Sequence, residues 1–390
     1  MKKIASLLSC IITVALTLTF IPKDIVNAEE TYDLNKWTIF CYFCGSDLEE
    51  SECASDDVRE MIEATEGTDL RFVVMCGGSD VDHDFFKNYA TFRLLIEDGR
   101  VYKVGNPELM NMGDPSTLTD FLRWGAVTFP SEKSGVVIWD HGGGALGGCC
   151  YDNLFDDDFL TLPEMDGAFE KAMLVRGGDK YDFVAYDCCL MASLELACML
   201  EDSADYLVAS QEVMPGTGFD YKAAADYIVS HPDCDAYTAC EAVCNGYWES
   251  LGPGDPGYAT ISIMDLNRLD TFMATLDRYC GSVDRYMDPS EARSLCSALD
   301  RDCEIADNFV DLYSLTDRCS AYVDPASFAL EEAVQDFIPY ERHGSDHNGL
   351  SGVTLFIPVS YLYEEDYKLF CEILPDYPLY EDFVHDLTGY

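Results

Sequence analysis

Residues Gly135–Gly144 read GVVIWDHGGG. Val136, Val137, Ile138 and Trp139 form an unbroken apolar run, which predicts a strand buried on both faces. The run ends in Asp140 and His141, and three glycines follow. A second run of the same kind, DFVAYDCCLM at Asp182–Met191, ends in Asp187, Cys188 and Cys189. In open parallel sheets, ligands bind beyond the carboxyl ends of the strands. Two strands that end in an imidazole and a thiol therefore predict a shared rim. There the imidazole takes the thiol proton, because the thiolate is the nucleophile. The glycines after His141 free backbone N–H groups to approach a substrate. The N–H groups of Gly142 and Cys189 are the candidate donors to the oxyanion of a tetrahedral intermediate. The stretch from Leu190, LMASLELACML, reads as a helix, which places Cys189 near a helix N-terminus, where the dipole lowers a thiol pKa.

Further short apolar runs flank these two. Trp37–Phe43, Leu70–Cys76, Tyr89–Ile96, Asp205–Ser210, Tyr258–Met264 and Gly352–Pro358 are candidate strands. Between them lie helical patterns at Asp47–Ala64, at Asp114–Phe129 with Pro115 in the first turn, and at Thr161–Met173. Thr161 and Glu164 stand at capping-box spacing. Strands alternating with helices predict an α/β fold with a largely parallel sheet covered by helices on both faces. From residue 259 onward the pattern is mainly helical and acidic, with one late strand at Gly352–Pro358. The Gly- and Pro-rich stretch Tyr247–Ala259 reads as a linker. The expected division is a core over residues 29–258 and a C-terminal helical subdomain over 259–390.

The first 28 residues read as an export signal. Lys2 and Lys3 precede a long apolar centre, and Val26–Ala28 is a small-residue cleavage site. No later segment is apolar over a bilayer's width, so the mature chain is expected to be secreted or held at the cell surface, without a membrane span. The formal charge is −48, and loss of the signal with its three lysines and one aspartate would make it −50. Such a surface excludes nucleic acid as a partner and attracts cationic peptides. There are 18 cysteines. Cys41, Cys76, Cys198 and Cys240 fall inside apolar patterns and read as buried small hydrophobes. No disulfide pairing follows from the sequence, and neither does an oligomeric state. His83, His231 and His385 read as surface residues. His343 and His347 fall in a glycine-containing loop without the glutamate of a helical zinc motif.

Taken together, these stretches resemble the clostripain family of cysteine peptidases, which belongs to the caspase-like clan. The resemblance is carried by WTIFCYFCGSDLEE, MGDPSTLTDFLRWGAVTFP, VVIWDHGGG, YDCCLMASLELA, YLVASQEVMPGTGFDY and NGLSGVTLFIP, spread over Trp37 to Pro358. In caspases the histidine stands about 50 residues before the cysteine, and here the gap is 48. The resemblance implies a caspase-like fold and an exported endopeptidase that cleaves through an acyl-enzyme. It puts the catalytic histidine at His141 and the nucleophile at Cys189, with Cys188 at the position where the family has Ala. It puts Asp187 in the wall of the substrate-binding S1 pocket, where a carboxylate would pair with Arg or Lys. Thr217 stands where some relatives carry an acid, which leaves a non-basic preference as an alternative, alongside a non-catalytic exported binding protein. A cysteine–histidine dyad requires no cofactor. Some relatives depend on calcium, and the carboxylates of Tyr151–Phe159 suit a hard cation but lack EF-hand spacing. A solvated acidic loop is the simpler reading of that stretch.

Overall fold

A computed structural model describes residues 34–252, 257–302, 304–306, 308–323, 327–359 and 362–389. The expected export signal over residues 1–28 lies outside the described residues, as does part of the expected linker.

The centre is a nine-stranded sheet. Its strands are β1 (Asn35–Cys44), β2 (Leu70–Gly77), β3 (Phe92–Glu97), β4 (Arg100–Lys103), β5 (Ser131–Trp139), β9 (Tyr181–Asp187), β10 (Ala204–Ala209), β11 (Thr260–Asp265) and β14 (Tyr340–His343). The order is β14-β11-β10-β9-β5-β1-β2-β3-β4. The five inner strands β10, β9, β5, β1 and β2 run parallel. The outer pairs on each side are antiparallel. A three-stranded sheet of β6 (Gly142–Gly143), β7 (Gly148–Asp152) and β8 (Asp158–Leu160) follows the tip of β5. Another joins β12 (Glu304–Ala306), β13 (Phe309–Asp311) and β15 (Thr354–Phe356).

Both faces of the parallel core are covered, as its unbroken apolar runs require. Successive strand residues point to opposite faces. Ile39, Cys41 and Phe43 of β1 pack under α1 (Cys53–Ala64), α5 (Tyr221–Ser230) and α6 (Ala236–Ser250). Phe40 and Tyr42 meet the other layer at α2 (Pro115–Thr128), which packs beside α3 (Leu162–Arg176). Gly125 lets α2 lie close, since a Cβ there would sit 2.7 Å from the Phe40 ring. The Asp114 cap and the Thr161–Glu164 capping box form as their spacings predict.

Two expectations change. The helix expected over Asp47–Ala64 is a 3₁₀ turn, Leu48–Ser51, followed by α1; Glu52 between them is left-handed at φ 60°. The buried Glu49 carboxylate accepts the Ser55 N–H at 3.0 Å, which satisfies the start of α1 from outside the helix. The late apolar strand, trimmed to Thr354–Phe356, joins the β12–β13 pair and not the large sheet. The place it might have taken beside β11 belongs to Tyr340–His343. That strand carries Glu341 and Arg342, which is how edge strands avoid pairing with other chains and why it does not read as a strand. Among the described residues, no helix is long and apolar enough to cross a membrane.

Candidate active site

Parallel register brings the two strand tips together. β5 and β9 pair from Gly135–Phe183 to Trp139–Asp187, and the Asp140 N–H donates to the Asp187 carbonyl at 3.4 Å. His141 and Cys189 each lie two residues beyond the last pair. They leave the sheet at the same level from strands about 4.8 Å apart. The loop after His141 lies against the loop of Cys189. A Cβ on Gly142 would fall 2.1 Å from the Cys189 carbonyl oxygen and 3.0 Å from the Cys188 Cβ. Only glycine fits, and the Gly142 N–H is left beside the Cys189 sulfur.

Backbone groups hold the Cys189 side of the site. Leu190 is left-handed at φ 63°, a conformation that costs a β-carbon-bearing residue energy and persists only when neighbours fix it. Here they do. Leu190 N–H donates to the Glu212 carbonyl at 3.2 Å, and Ala192 N–H to that of Ser210 at 2.8 Å. Thr260 Oγ1 fixes the opposing segment by accepting the N–H groups of Gln211 and Glu212 at 2.9 and 3.1 Å. The Met214 N–H donates to Cys189 Sγ at 3.2 Å. On the far side, Thr354 N–H donates to the Ala192 carbonyl at 2.9 Å, tying the β15 sheet to this loop.

Side chains hold the His141 side. Its Nε2 lies 2.7 Å from Asp47 Oδ1, at the tip of β1. Asp140, next in chain, is buried; its two oxygens accept Ser46 Oγ–H and the Tyr151 N–H. Burial pushes the Asp140 carboxyl up to about 7, against those hydrogen bonds.

Burial also pushes the Cys189 thiol above its ordinary value, and the charges of Asp187 and Asp140 add to this; the Met214 and Gly142 N–H groups oppose it. The thiol therefore needs a base. The helix expected from Leu190 begins only at Leu194, as α4 (Leu194–Leu200), with Ser193 as its cap. Cys189 stands outside its N-terminal turn, so the expected lowering by a helix dipole is replaced by a rise from desolvation. Cys188 is 1% exposed and its Sγ faces the Ile138 carbonyl at 3.5 Å. Burial raises that thiol well above its ordinary value, so only the second thiol of the pair is open to a substrate.

A model of the clostripain family matches residues 41–367. The chain belongs to the clostripain family. Clostripain from Hathewaya histolytica is 24% identical over 241 residues, which is 52% of this chain and 44% of that protein, so the match spans less than half of the curated relative. A secreted C11 cysteine protease from Bacteroides thetaiotaomicron, solved with an irreversible peptide inhibitor, superposes with a TM-score of 0.65 at 19% identity, covering 90% of this chain and 99% of that one. An inactive zymogen C11 protease from Parabacteroides distasonis gives 0.66 at 18% identity with the same coverage. These likenesses show the caspase-like α/β fold.

Asp187, the residue the clostripain resemblance puts in the S1 wall, is 5% exposed. Its Oδ2 accepts the Phe219 N–H and the Tyr221 hydroxyl, each at 3.0 Å. Gly218, at φ 54°, covers Oδ1: a Cβ there would fall 2.7 Å from that oxygen. Burial raises the Asp187 carboxyl to about 7, and Glu60 adds to it. Thr217 is exposed beside it. Sequence reasoning missed a second buried acid, Asp57, which accepts Trp139 Nε1–H at 2.8 Å and is raised by burial and then by Asp187. It also missed Asp47 and Met214. Asp47 lies at the tip of the parallel strand beside β5, a neighbourhood set by topology.

The remaining histidines differ in detail. His83 is half-buried against the buried Glu49 at 3.2 Å, where a surface position was expected. His343 closes β14 and meets Glu341 at 2.7 Å, while His347 Nε2 donates to the Tyr258 carbonyl at 3.1 Å. Tyr151–Phe159 is a hairpin over β7 and β8 whose Asp152 is buried and accepts the Met112 N–H at 2.7 Å. Among the described residues, no group of three or more thiol, imidazole or carboxylate side chains is arranged to hold a metal ion.

Proposed function

We propose that this chain is an exported cysteine endopeptidase in which Cys189 attacks the scissile carbonyl and His141 accepts its proton. The observation that carries this reading is the register of β5 and β9, which delivers an accessible thiol and an imidazole to one rim. The thiol proton passes to the imidazole as sulfur bonds to the carbonyl carbon. The resulting oxyanion is met by the Gly142 N–H, where the two loops meet. The imidazolium then protonates the departing amine, and water, deprotonated by the same imidazole, releases the acyl-enzyme. Export is supported by the basic and apolar start of the chain and its Val26–Ala28 cleavage site, and by the likeness to secreted proteases.

Cleavage after Arg or Lys is the favoured specificity, because Asp187 lies under Gly218 beside the nucleophile and the surface is strongly acidic. A second reading, a non-basic preference, is favoured by the Phe219 and Tyr221 bonds that occupy Asp187 Oδ2 and by the uncharged Thr217. The test is to label the reduced protein with Arg-directed, Lys-directed and non-basic peptidyl electrophiles, map the modified thiol by mass spectrometry, and assay Cys189→Ala and Cys188→Ala. Labelling at Cys189, a loss of at least about 10³-fold in Cys189→Ala and retained activity in Cys188→Ala are expected. Activity surviving in Cys189→Ala would remove that thiol from the mechanism. Label taken up only from non-basic electrophiles would select the second reading.

A further inference from the structure

We propose that Asp47 is a positioning residue for His141: it orients the imidazole through Nε2, so that Nδ1 is the nitrogen that exchanges a proton with Cys189. The inference rests on the proposed cysteine–histidine dyad and adds a third participant to it.

The geometry is a two-point clamp between consecutive residues on neighbouring strand tips. β1 and β5 are parallel and paired up to Phe43–Trp139. Beyond that pair, Ser46 bonds to Asp140 and Asp47 bonds to His141. The first contact is buried and fixes the backbone of the second. Ser46 is left-handed at φ 41°, and its carbonyl accepts the Ser79 hydroxyl at 2.6 Å. Asp140 is held from its other side by the Tyr151 N–H. A carboxylate and an imidazole at the surface normally contribute little, because both side chains must give up their freedom to meet. Here much of that freedom has been removed in advance, so the contact is free to set direction. A carboxylate at Nε2 fixes the tautomer with its proton on that atom and leaves Nδ1 unprotonated. When the thiol proton moves to Nδ1, the ring becomes an imidazolium between Asp47 and the thiolate, and the carboxylate remains ionised. The hydrogen bond to His141 holds the Asp47 carboxyl below its ordinary value, consistent with that role. The charged groups set against the ring are Asp47, bonded at Nε2, and Asp140, next to it in the chain; the thiol that the proposal pairs with Nδ1 leaves the neighbouring strand at the same level. Asp140 already spends both oxygens on Ser46 and Tyr151, which leaves Asp47 to bond the ring.

The test uses the full mature chain with Asp47→Ala, Asp47→Asn and Asp47→Glu, alongside Cys189→Ala and His141→Ala. Two quantities are read: kcat and KM on Arg- and Lys-coumarin peptides, and the rate at which iodoacetamide alkylates Cys189, followed by mass spectrometry from pH 5.5 to 9. Asp47→Ala is expected to lower kcat by about 10- to 100-fold with KM within about threefold, and to slow alkylation most below neutral pH, where only an ion pair supplies thiolate. Asp47→Asn, which keeps the acceptor and loses the charge, should fall between. Asp47→Glu should recover part of the rate. Because Asp47 is exposed, the variants should keep the melting point of the parent. Asp47→Ala with kcat and alkylation profile within twofold of the parent, while Cys189→Ala and His141→Ala are inactive, would overturn this inference and leave the dyad standing. Activity in Cys189→Ala or His141→Ala would overturn both.

Discussion

The two strand tips that meet at the site are held by different kinds of group. The β5 tip is fixed by side chains: Ser46 on Asp140 and Asp47 on His141. The β9 tip is fixed by main chain: Leu190 to Glu212, Ala192 to Ser210, and the Met214 N–H on the sulfur. An imidazole must be turned so that one particular nitrogen faces its target, and an adjustable side-chain partner can do that. A thiol has a single reacting atom, and it needs only to be kept in place and supplied with N–H donors. His141 is therefore open to tuning by ordinary substitutions, whereas Cys189 responds mainly to changes that alter the path of the backbone.

The sharpest way to break this contrast is Gly142→Ala, which inserts a methyl group where a carbonyl oxygen stands 2.1 Å away. The two loops must separate, and the Gly142 N–H proposed to meet the oxyanion moves with them. A loss in kcat/KM of at least about 100-fold is expected, with a lower melting temperature; activity within fivefold of the parent would show that the loops are not in register at the site. A smaller effect is expected from Ser46→Ala. It leaves a buried Asp140 oxygen without its donor, at a cost of about 1–3 kcal/mol, and frees the Asp47 turn. A roughly tenfold drop in kcat is expected, and Asp47→Ala on top of it should add little, since both act on one ring. Full additivity would separate the two contacts.

The smallest effect on activity is expected at Glu195, on the main-chain side. It is 1% exposed; its Oε1 accepts the Phe356 N–H at 2.9 Å while Oε2 has no partner. Burial raises this carboxyl from 4.5 to about 7. Between those values the folded state binds the proton and the unfolded state does not, so stability falls as pH rises through that window. Glu195→Gln removes the dependence. Its melting temperature relative to the parent should therefore rise from pH 5 to pH 8, with activity at pH 7 within about threefold. A difference that does not change with pH would mean that Glu195 is ionised throughout.

Most of this was legible in the residues, for reasons that can be named. The five parallel strands announce themselves because burial on two faces forces unbroken apolar runs, as in Val136–Trp139. His141 and Cys189 stood out because each ends such a run. Tyr340–His343 was illegible because this short edge strand is partly exposed and carries Glu341 and Arg342, so no apolar run marks it. The late start of α4 was hidden by LMASLELACML, whose apolar content suits a helix throughout, whereas the left-handed Leu190 is imposed by pairing with residues 210–212. Asp47 was missed because its role depends on which strand lies beside β5, and that is a fact of topology. The Cys189 thiol rises, where a fall was expected, because the fold buries it and keeps it outside the first turn of α4.

The grip of Thr354 on Ala192 carries one more consequence. A polypeptide is made from its N-terminus onward. The cysteine emerges long before Thr354 and Phe356, which brace the loop that carries it. Until those residues have arrived, the loop of Cys189 lacks its far-side support, so the order of synthesis itself would hold back the cleavage proposed for this thiol.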